Sequence, residues 1–166
     1  MKLAAVLLLL PCLLFGDDAS KYGWKKLGSE AFSLDATEHK YFKLPTGRLR
    51  IEFKAEDAIY AGVMTPQQYA QFSNGKYLEL IHFRGFHCVK ESVIEAVQNC
   101  NVPMANAMLA VRDKRGPVTK AMGGYSALHP LKGDGNMADR AMKPNKVSLT
   151  LYRWDCLENC PAPPTK

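Results

Sequence analysis

Two segments of this chain alternate strictly between apolar and polar residues, and this alternation limits the folds that the chain can form. Residues 48–54 read Arg-Leu-Arg-Ile-Glu-Phe-Lys, which puts the apolar side chains on one face and the charged side chains on the other. Residues 146–154 repeat the pattern, with Val147, Leu149 and Leu151 on one face. A period of two is typical of a strand with one buried and one solvated face. The sequence therefore predicts a sheet with a packed inner side.

Further strands are expected in shorter segments of the same character, about eight in all, joined by turns. The clearer ones are 57–64 and 106–115, and the weaker ones are 30–36, 39–44, 76–83 and 92–98. Short antiparallel strands at this spacing favour an all-β fold. We expect a single antiparallel β-sandwich of the jelly-roll-like type.

One short helix is expected near 65–74. Thr65 and the proline after it suit an N-cap and a first helical position, and Gln68 completes a capping box. Tyr69 and Phe72 lie three residues apart and so share a helix face. These two aromatic rings are expected to pack the helix onto one end of the sandwich.

Residues 1–16 have the pattern of a cleaved secretory signal peptide, in which a lysine precedes a short apolar run. The run is shorter than the roughly 20 residues that a membrane-spanning helix needs. Lipid attachment at Cys12 is the less favoured alternative. We expect a signal peptide at 1–16, a β-sandwich domain at 17–160 and a tail at 161–166. The protein is predicted to be secreted or periplasmic, without a transmembrane segment.

Four cysteines follow the predicted signal peptide: Cys88, Cys100, Cys156 and Cys160. An even number of cysteines in an exported chain indicates two disulfides. Three pairings are possible, and proximity in sequence favours Cys88 with Cys100 and Cys156 with Cys160. The chain has no C-x-x-C redox motif, and no cofactor is expected.

The stretch 116–145 is rich in glycine and shows no period. A long irregular stretch inside a domain is usually either functional or mobile. Within it, Tyr125, His129, Lys132 and Arg140 offer a ring, an imidazole and two cations where the backbone can adapt to a partner. These four residues are the predicted ligand-binding residues, and a simple connection between strands is the alternative.

Parts of the chain resemble pre-peptidase C-terminal-like and related jelly-roll modules of microbial surface proteins. The resemblance is carried by Tyr69, Phe72 and Gly75 in a Tyr-x-x-Phe-x-x-Gly turn, and by Asp113 at the end of a later strand. It covers about a third of the chain after the signal peptide. Lys114 stands where the pattern usually has asparagine. The resemblance implies a non-catalytic accessory or binding module and names no ligand.

Catalytic and metal-binding patterns are weak. Ser126 lies three residues before His129, but no G-x-S-x-G elbow surrounds the serine. His82, His87 and Cys88 are of the types that zinc and copper prefer, but their spacing fits no standard site. A cysteine in a disulfide cannot bind a metal. No catalytic residue and no metal ligand is therefore assigned.

A basic surface that carries aromatic residues remains as a candidate for binding. The chain has a net charge of +6, which suits acidic partners. Aromatic rings stack on sugars, and lysine and arginine bind carboxylate or sulfate groups. Trp24 and Trp154, each taken alone, are expected simply to pack at the two ends of the sandwich. The members of this surface are Tyr22, Trp24, Lys25, Lys26, Tyr125, Tyr152, Arg153 and Trp154.

The leading interpretation is an exported, non-catalytic binding module for an envelope component, an acidic polysaccharide or a surface protein. Nucleic acid is not expected as a partner outside a cell. The alternative is a small secreted enzyme or metal-binding protein with its site in 116–145. Enzymatic activity is the less favoured of the two.

Overall fold

A computed structural model describes residues 21–74, 78–116 and 143–158. Within these ranges the chain forms six strands and two short helices. The predicted all-β antiparallel class, with a short helix near 65–74, is confirmed. The elements are β1 (Tyr22–Leu34), β2 (His39–Lys43), β3 (Gly47–Met64), α1 (Pro66–Phe72), α2 (Leu80–Phe83), β4 (His87–Val102), β5 (Met108–Asp113) and β6 (Asn145–Cys156).

The long strand β3 is the centre of a single six-stranded sheet with the order β1-β6-β3-β5-β2. On one edge, β3 pairs with β6 through 49–55 and with β5 through 59–64. On its other edge β3 pairs with β4 along most of its length. All of these pairs are antiparallel. Because β3 changes neighbour part-way along, the sheet has two halves that share β3 and β4.

The ribbon formed by β3 and β4 is folded back on itself. Cys88 and Cys100 both belong to β4 and are 12 residues apart, yet a disulfide joins them and their Cα atoms are 5.9 Å apart. Twelve residues of a straight strand would span roughly 40 Å. The pairing register shifts between Lys54 and Ile59, and Ser92 has a positive φ of 55°. These irregularities, which are typical of β-bulges, provide the bend.

The sheet curls until its two outer strands approach each other. The Phe32 ring on β1 and the Phe42 ring on β2 have centroids 5.0 Å apart, although β1 and β2 are not paired. The curl encloses one core cluster to which five of the strands contribute buried residues. The two packed layers expected of a sandwich are thus supplied by one curled, open sheet. The largest fully buried apolar side chains of this cluster are Leu34, Leu49, Ile51, Ile59, Val63, Val102, Leu109 and Val111.

The alternating sequences occupy the faces that their period predicts. In β3 the residues Leu49, Ile51 and Phe53 are buried, and the charged residues between them lie on the outer side. In β6 the residues Val147 and Leu149 are buried, and the polar residues beside them face outwards. The hydrophobic effect therefore fixes which side of each strand faces the core.

Helix α1 begins as the sequence predicts. The Thr65 side chain accepts a hydrogen bond from the Gln68 backbone N–H, and the Gln68 side chain accepts one from the Thr65 N–H. Phe72 is buried in a second apolar cluster, and Tyr69 packs against this cluster. The predicted packing of these two rings is confirmed, but they pack on the outer side of the sheet and not at an end of a sandwich.

The prediction of a strand at 76–83 is wrong, because 80–83 form helix α2. Glu79 and His82 make a reciprocal capping box, in which His82 Nδ1 accepts a hydrogen bond of 3.0 Å from the Glu79 N–H. The buried Phe83 points into the second cluster beside Leu78. Local capping and two buried side chains outweigh the strand propensity of this short apolar run.

Helices α1 and α2 cover the outer side of only one half of the sheet. The second cluster that they form with the sheet contains Met64 of β3 and Ala110 of β5. The half made of β1, β6, β3 and β4 has no helix on its outer side within the described ranges. That half presents a bare outer face.

Cys156 at the end of β6 is also in a disulfide. Its partner is outside the described residues, as is Cys160, the predicted partner. The predicted Cys88–Cys100 pair is confirmed. The predicted signal peptide at 1–16 and tail at 161–166 also lie outside the described residues. Among those described, no helix has both the length and the apolar character needed to cross a membrane.

Replacing Gly62 by alanine is expected to destabilise the fold by roughly 1–3 kcal/mol, because the core there has no room for a methyl group. A Cβ at Gly62 would lie 3.1 Å from Phe86 Cβ and 3.3 Å from Phe83 Cδ1. Gly28→Ala is the matched control, since a Cβ at Gly28 meets nothing within 4 Å. Urea denaturation measures both variants. Equal stabilities would contradict the close helix–sheet approach.

Removing the Cys88–Cys100 disulfide is expected to lower the free energy of unfolding by about 3 kcal/mol, the value for a closed loop of about 15 residues. The variant Cys88→Ala with Cys100→Ala is compared with the unmodified protein by thermal and urea denaturation. Adding a reductant to the variant then measures the contribution of the Cys156 disulfide alone. An unchanged midpoint for the double variant would show that the fold of β4 does not depend on this bond.

Candidate functional site

The predicted ligand-binding residues Tyr125, His129, Lys132 and Arg140 all lie outside the described residues. The same is true of Ser126. Their assignment therefore stays a prediction. The structure describes only the two ends of the stretch 116–145. One end follows β5, and the other leads into β6.

A buried polar network holds these two ends. The Asp113 side chain is fully buried, and Arg115 binds it with two parallel bonds: Nε donates to Oδ1 at 2.9 Å and Nη2 donates to Oδ2 at 2.8 Å. Arg115 Nη1 donates to the Lys143 carbonyl at 2.8 Å. The buried Asn145 side chain bonds both the N–H and the carbonyl of Asp57, each at 2.9 Å. The network thus joins both ends of the stretch to the bend of β3.

The charge on Arg115 is secured by this environment. Its hydrogen bonds to the Asp113 carboxylate, with the nearby negative charge of Asp57, raise the pKa of the Arg115 guanidinium, although partial burial opposes the shift. Asp113 is committed to this pair and to the Arg115 backbone N–H, which donates at 2.7 Å. The network is therefore suited to holding the chain in place.

Arg115→Ala is expected to cost about 3–5 kcal/mol of stability, because it leaves the buried Asp113 carboxylate without its charge partner. Arg84→Ala is the matched control, since Arg84 is exposed at the end of α2. Adding Asp113→Asn to Arg115→Ala removes the uncompensated charge and should recover part of the loss. Chemical denaturation measures all three proteins. If Arg115→Ala were as stable as Arg84→Ala, the stabilising role of the Asp113–Arg115 pair would be contradicted.

The residues considered for a metal are not brought together. His82 lies in α2, where its ring packs against Phe72 with centroids 4.5 Å apart. His87 begins β4 and is exposed. Cys88 is in the disulfide and cannot bind a metal. Across the described part of the chain, no cluster of histidine, cysteine and carboxylate side chains has metal-binding geometry.

Two groups under the helix-covered half have shifted pKa values. Burial, with the positive charge of Arg112 opposite it on β5, lowers the pKa of His39 below its ordinary value of 6.5. Burial, with Tyr69 nearby, raises the pKa of Tyr41. His39 is therefore neutral at neutral pH. Neither group supplies charge to the bare outer face.

A groove of about 430 Å³ lies between the two outer strands. Its lining includes Leu149, Leu151 and Phe42, with Glu30 and Lys43 among the charged members. The groove marks the place where the curled sheet does not close. The groove has one negative and one positive side chain, so its charge does not favour an acidic ligand.

The bare outer face brings together the two tryptophans. Trp24 of β1 and Trp154 of β6 are directly paired across the strands, and their rings meet edge to face with centroids 5.2 Å apart. The expectation that each tryptophan packs at a different end of the sandwich is wrong. Antiparallel pairing of β1 with β6 places them side by side, because directly opposite residues share a face.

Arg48 of β3 lies against both indole rings. Its Cζ atom is 5.6 Å from the centroid of Trp24 and 5.3 Å from that of Trp154, which is cation–π geometry. Arg48 is exposed, and no carboxylate of the described ranges forms an ion pair with it. Contact with both rings restricts the Arg48 guanidinium, which stays exposed to solvent. Such a group binds carboxylate or sulfate with two bonds.

A second arginine repeats this arrangement. Arg50 lies two residues along β3, and its Cζ atom is 6.0 Å from the ring centroid of Tyr152 on β6. Arg50 also forms an ion pair of 2.9 Å with Glu52. Lys26 of β1 is paired with Tyr152 and adds another positive charge. We call the surface formed by Trp24, Trp154, Arg48, Tyr152 and Arg50 the aromatic–basic face.

Sequence reasoning identified the rings of this face but not its arginines. From the sequence, Arg48 and Arg50 are only the solvated side of an alternating strand. Arg153, which was grouped with the tryptophans, instead forms an ion pair with Asp155 and lies on the other side of β6. The arginines lie on the same side of the sheet as the rings of the neighbouring strand β6. Predicting the pairing of β3 with β6 would therefore have identified them.

No protein-family model and no curated protein matches this sequence. The resemblance to pre-peptidase C-terminal-like modules therefore stays a prediction. Tyr69 and Phe72, which carry part of that resemblance, lie within α1, and Gly75 is outside the described residues. Asp113 does end a strand, but its carboxylate binds Arg115.

Proposed function

We propose that this protein is an exported, non-catalytic binding module that recognises an acidic polysaccharide through its aromatic–basic face. The observation that carries the proposal is the Arg48 guanidinium, which is exposed, held against Trp24 and Trp154, and without a carboxylate partner in the described ranges. A fixed, uncompensated guanidinium favours an anion. The rings beside it offer apolar surface for the C–H groups of a sugar.

The distribution of charge along β3 supports an anion-binding site next to the two tryptophans. Arg48, Arg50 and Lys26 are clustered around the three rings. Glu52 forms an ion pair with Arg50 and neutralises part of its charge. The surplus positive charge is therefore greatest next to the tryptophans. Electrostatic attraction of this kind raises association rates and weakens as salt rises.

Export is supported by the disulfides and by the predicted signal peptide. Two disulfides are typical of proteins from oxidising compartments, and both Cys88–Cys100 and a bond at Cys156 are present. The apolar run within 1–16 has the length and flanks of a signal peptide. A polysaccharide of the cell surface or of the extracellular medium is accessible in such a compartment.

Arg48→Ala is expected to weaken binding of acidic polysaccharide by about tenfold to a hundredfold, because a hydrogen bond to a charged group contributes about 1.5–3 kcal/mol. Lys54→Ala is the matched control: Lys54 lies further along β3 on its outer side, away from the three rings. Isothermal titration calorimetry with polygalacturonate and with heparin measures both variants. Binding of the parent should weaken as salt rises, since exposed charges are screened over about 8 Å at physiological ionic strength.

The control decides whether the face is specific. Equal losses in Arg48→Ala and Lys54→Ala would indicate general attraction to a basic protein and would reject the proposed face. Binding of a neutral polysaccharide as tightly as of an acidic one would reject the role of charge. Thermal melting of each variant confirms that a loss of binding is not a loss of fold.

A further inference from the structure

Part of the aromatic–basic face belongs to a repeat that runs across β6, β3 and β4. In its first row, Trp154 of β6 contacts Arg48 of β3, and Arg48 is paired with Asn101 of β4. All three side chains belong to the outer side of the sheet and are exposed. The row therefore presents a ring, a guanidinium and a carboxamide in line.

The second row presents the same three chemical groups from the same three strands. Tyr152 of β6 is paired with Arg50 of β3, which is paired with Asn99 of β4. Each member is two residues along its strand from its counterpart in the first row. The two rows thus share a face and are offset by roughly 7 Å along the strands.

The repeat stops after two rows. The next row on the same face contains Thr150, Glu52 and Val97, so it has a carboxylate where the first two rows have a guanidinium. Beyond the first row β3 itself begins, at Gly47. A ligand that uses the repeat therefore meets two matching positions, with a negative charge beyond the second.

We propose that the two rows are consecutive subsites for neighbouring acidic sugar residues of one linear polysaccharide that runs along the strands. In each subsite the ring packs against the sugar, the guanidinium binds its carboxylate or sulfate, and the carboxamide bonds a hydroxyl group. This inference rests on the proposed function and adds the ligand's repeating, acidic character and its direction. A repeated ligand is the occupant that matches a repeated set of groups, and an acidic one matches their charge.

The two subsites differ in strength. Arg48 has no carboxylate partner in the described ranges, whereas Arg50 is bound to Glu52 at 2.9 Å. A ligand anion at the second subsite must therefore compete with the Glu52 carboxylate. The first subsite is the stronger of the two, and the second contributes when both sugars belong to one chain.

The test is a length series on the full protein, from galacturonic acid to its linear hexasaccharide, measured by calorimetry, with heparin-derived oligosaccharides as the sulfated series. We expect the second sugar to raise affinity about tenfold, since it adds one charge-assisted contact, and further sugars to add little. Asn99→Ala and Arg50→Gln should reduce binding of the disaccharide by a larger factor than binding of the monosaccharide, which the first subsite binds more strongly. Glu52→Gln should strengthen disaccharide binding, because it releases Arg50. Whichever series shows the step identifies the acidic group.

Several results would overturn the inference while leaving the proposed function in place. These are equal affinity for one and two sugars, a steady rise up to the hexasaccharide, or no effect of Asn99→Ala and Arg50→Gln on the disaccharide. Inorganic polyphosphate bound as tightly as a glycan of equal charge would also overturn it, since rings and carboxamides would then be unused. Failure of every acidic glycan to bind would overturn both. Melting temperatures of the three variants should match the parent.

Discussion

The fold depends on the bend that turns the β3–β4 ribbon back on itself. Without this bend, β3 could not pair with β6 at one end and with β5 at the other, and no enclosed core would form. Burial of apolar residues from both halves of β3 drives the closure. The Cys88–Cys100 disulfide fastens two points of β4 that only the bent form brings together. The polar network of Arg115 and Asn145 meets the backbone of β3 at the same bend.

The bend also gives the two halves of the sheet different outer sides. In one half, residues such as Met64 and Ala110 are apolar and are covered by α1 and α2. In the other half, the outward positions of β3 carry charge and are exposed or half-buried. A strand that is shared between the halves therefore changes from arginine and glutamate on its outer side to glycine and methionine. Burial on both faces accounts for the loss of alternation toward the end of β3.

Much of the fold could be predicted from the sequence because its signals are local. Alternation located β3 and β6, capping residues located α1, and proximity of the cysteines favoured the correct Cys88–Cys100 pair. Helix α2 was not predicted because four residues give no helical period. The alternation breaks between the segments 48–54 and 57–64, which predicted two strands and not one strand with a bend. The aromatic–basic face was only partly predictable. Its aromatic residues and arginines can be read in the sequence, but their proximity depends on pairing between strands that are distant in the sequence.

That distant pairing has a consequence for when the face comes into existence. Ser29 of β1 and Thr150 of β6 bond each other although they are 121 residues apart, and closing so long a loop is slow and entropically unfavourable. A chain emerging from the ribosome or through a membrane has made β1 and β3 long before β6 is available. Trp154 and Tyr152 arrive with β6, so neither complete row exists in any partly assembled form. Binding by this face would therefore require that β6 has paired with β1 and β3. A chain whose synthesis is unfinished would lack the binding face.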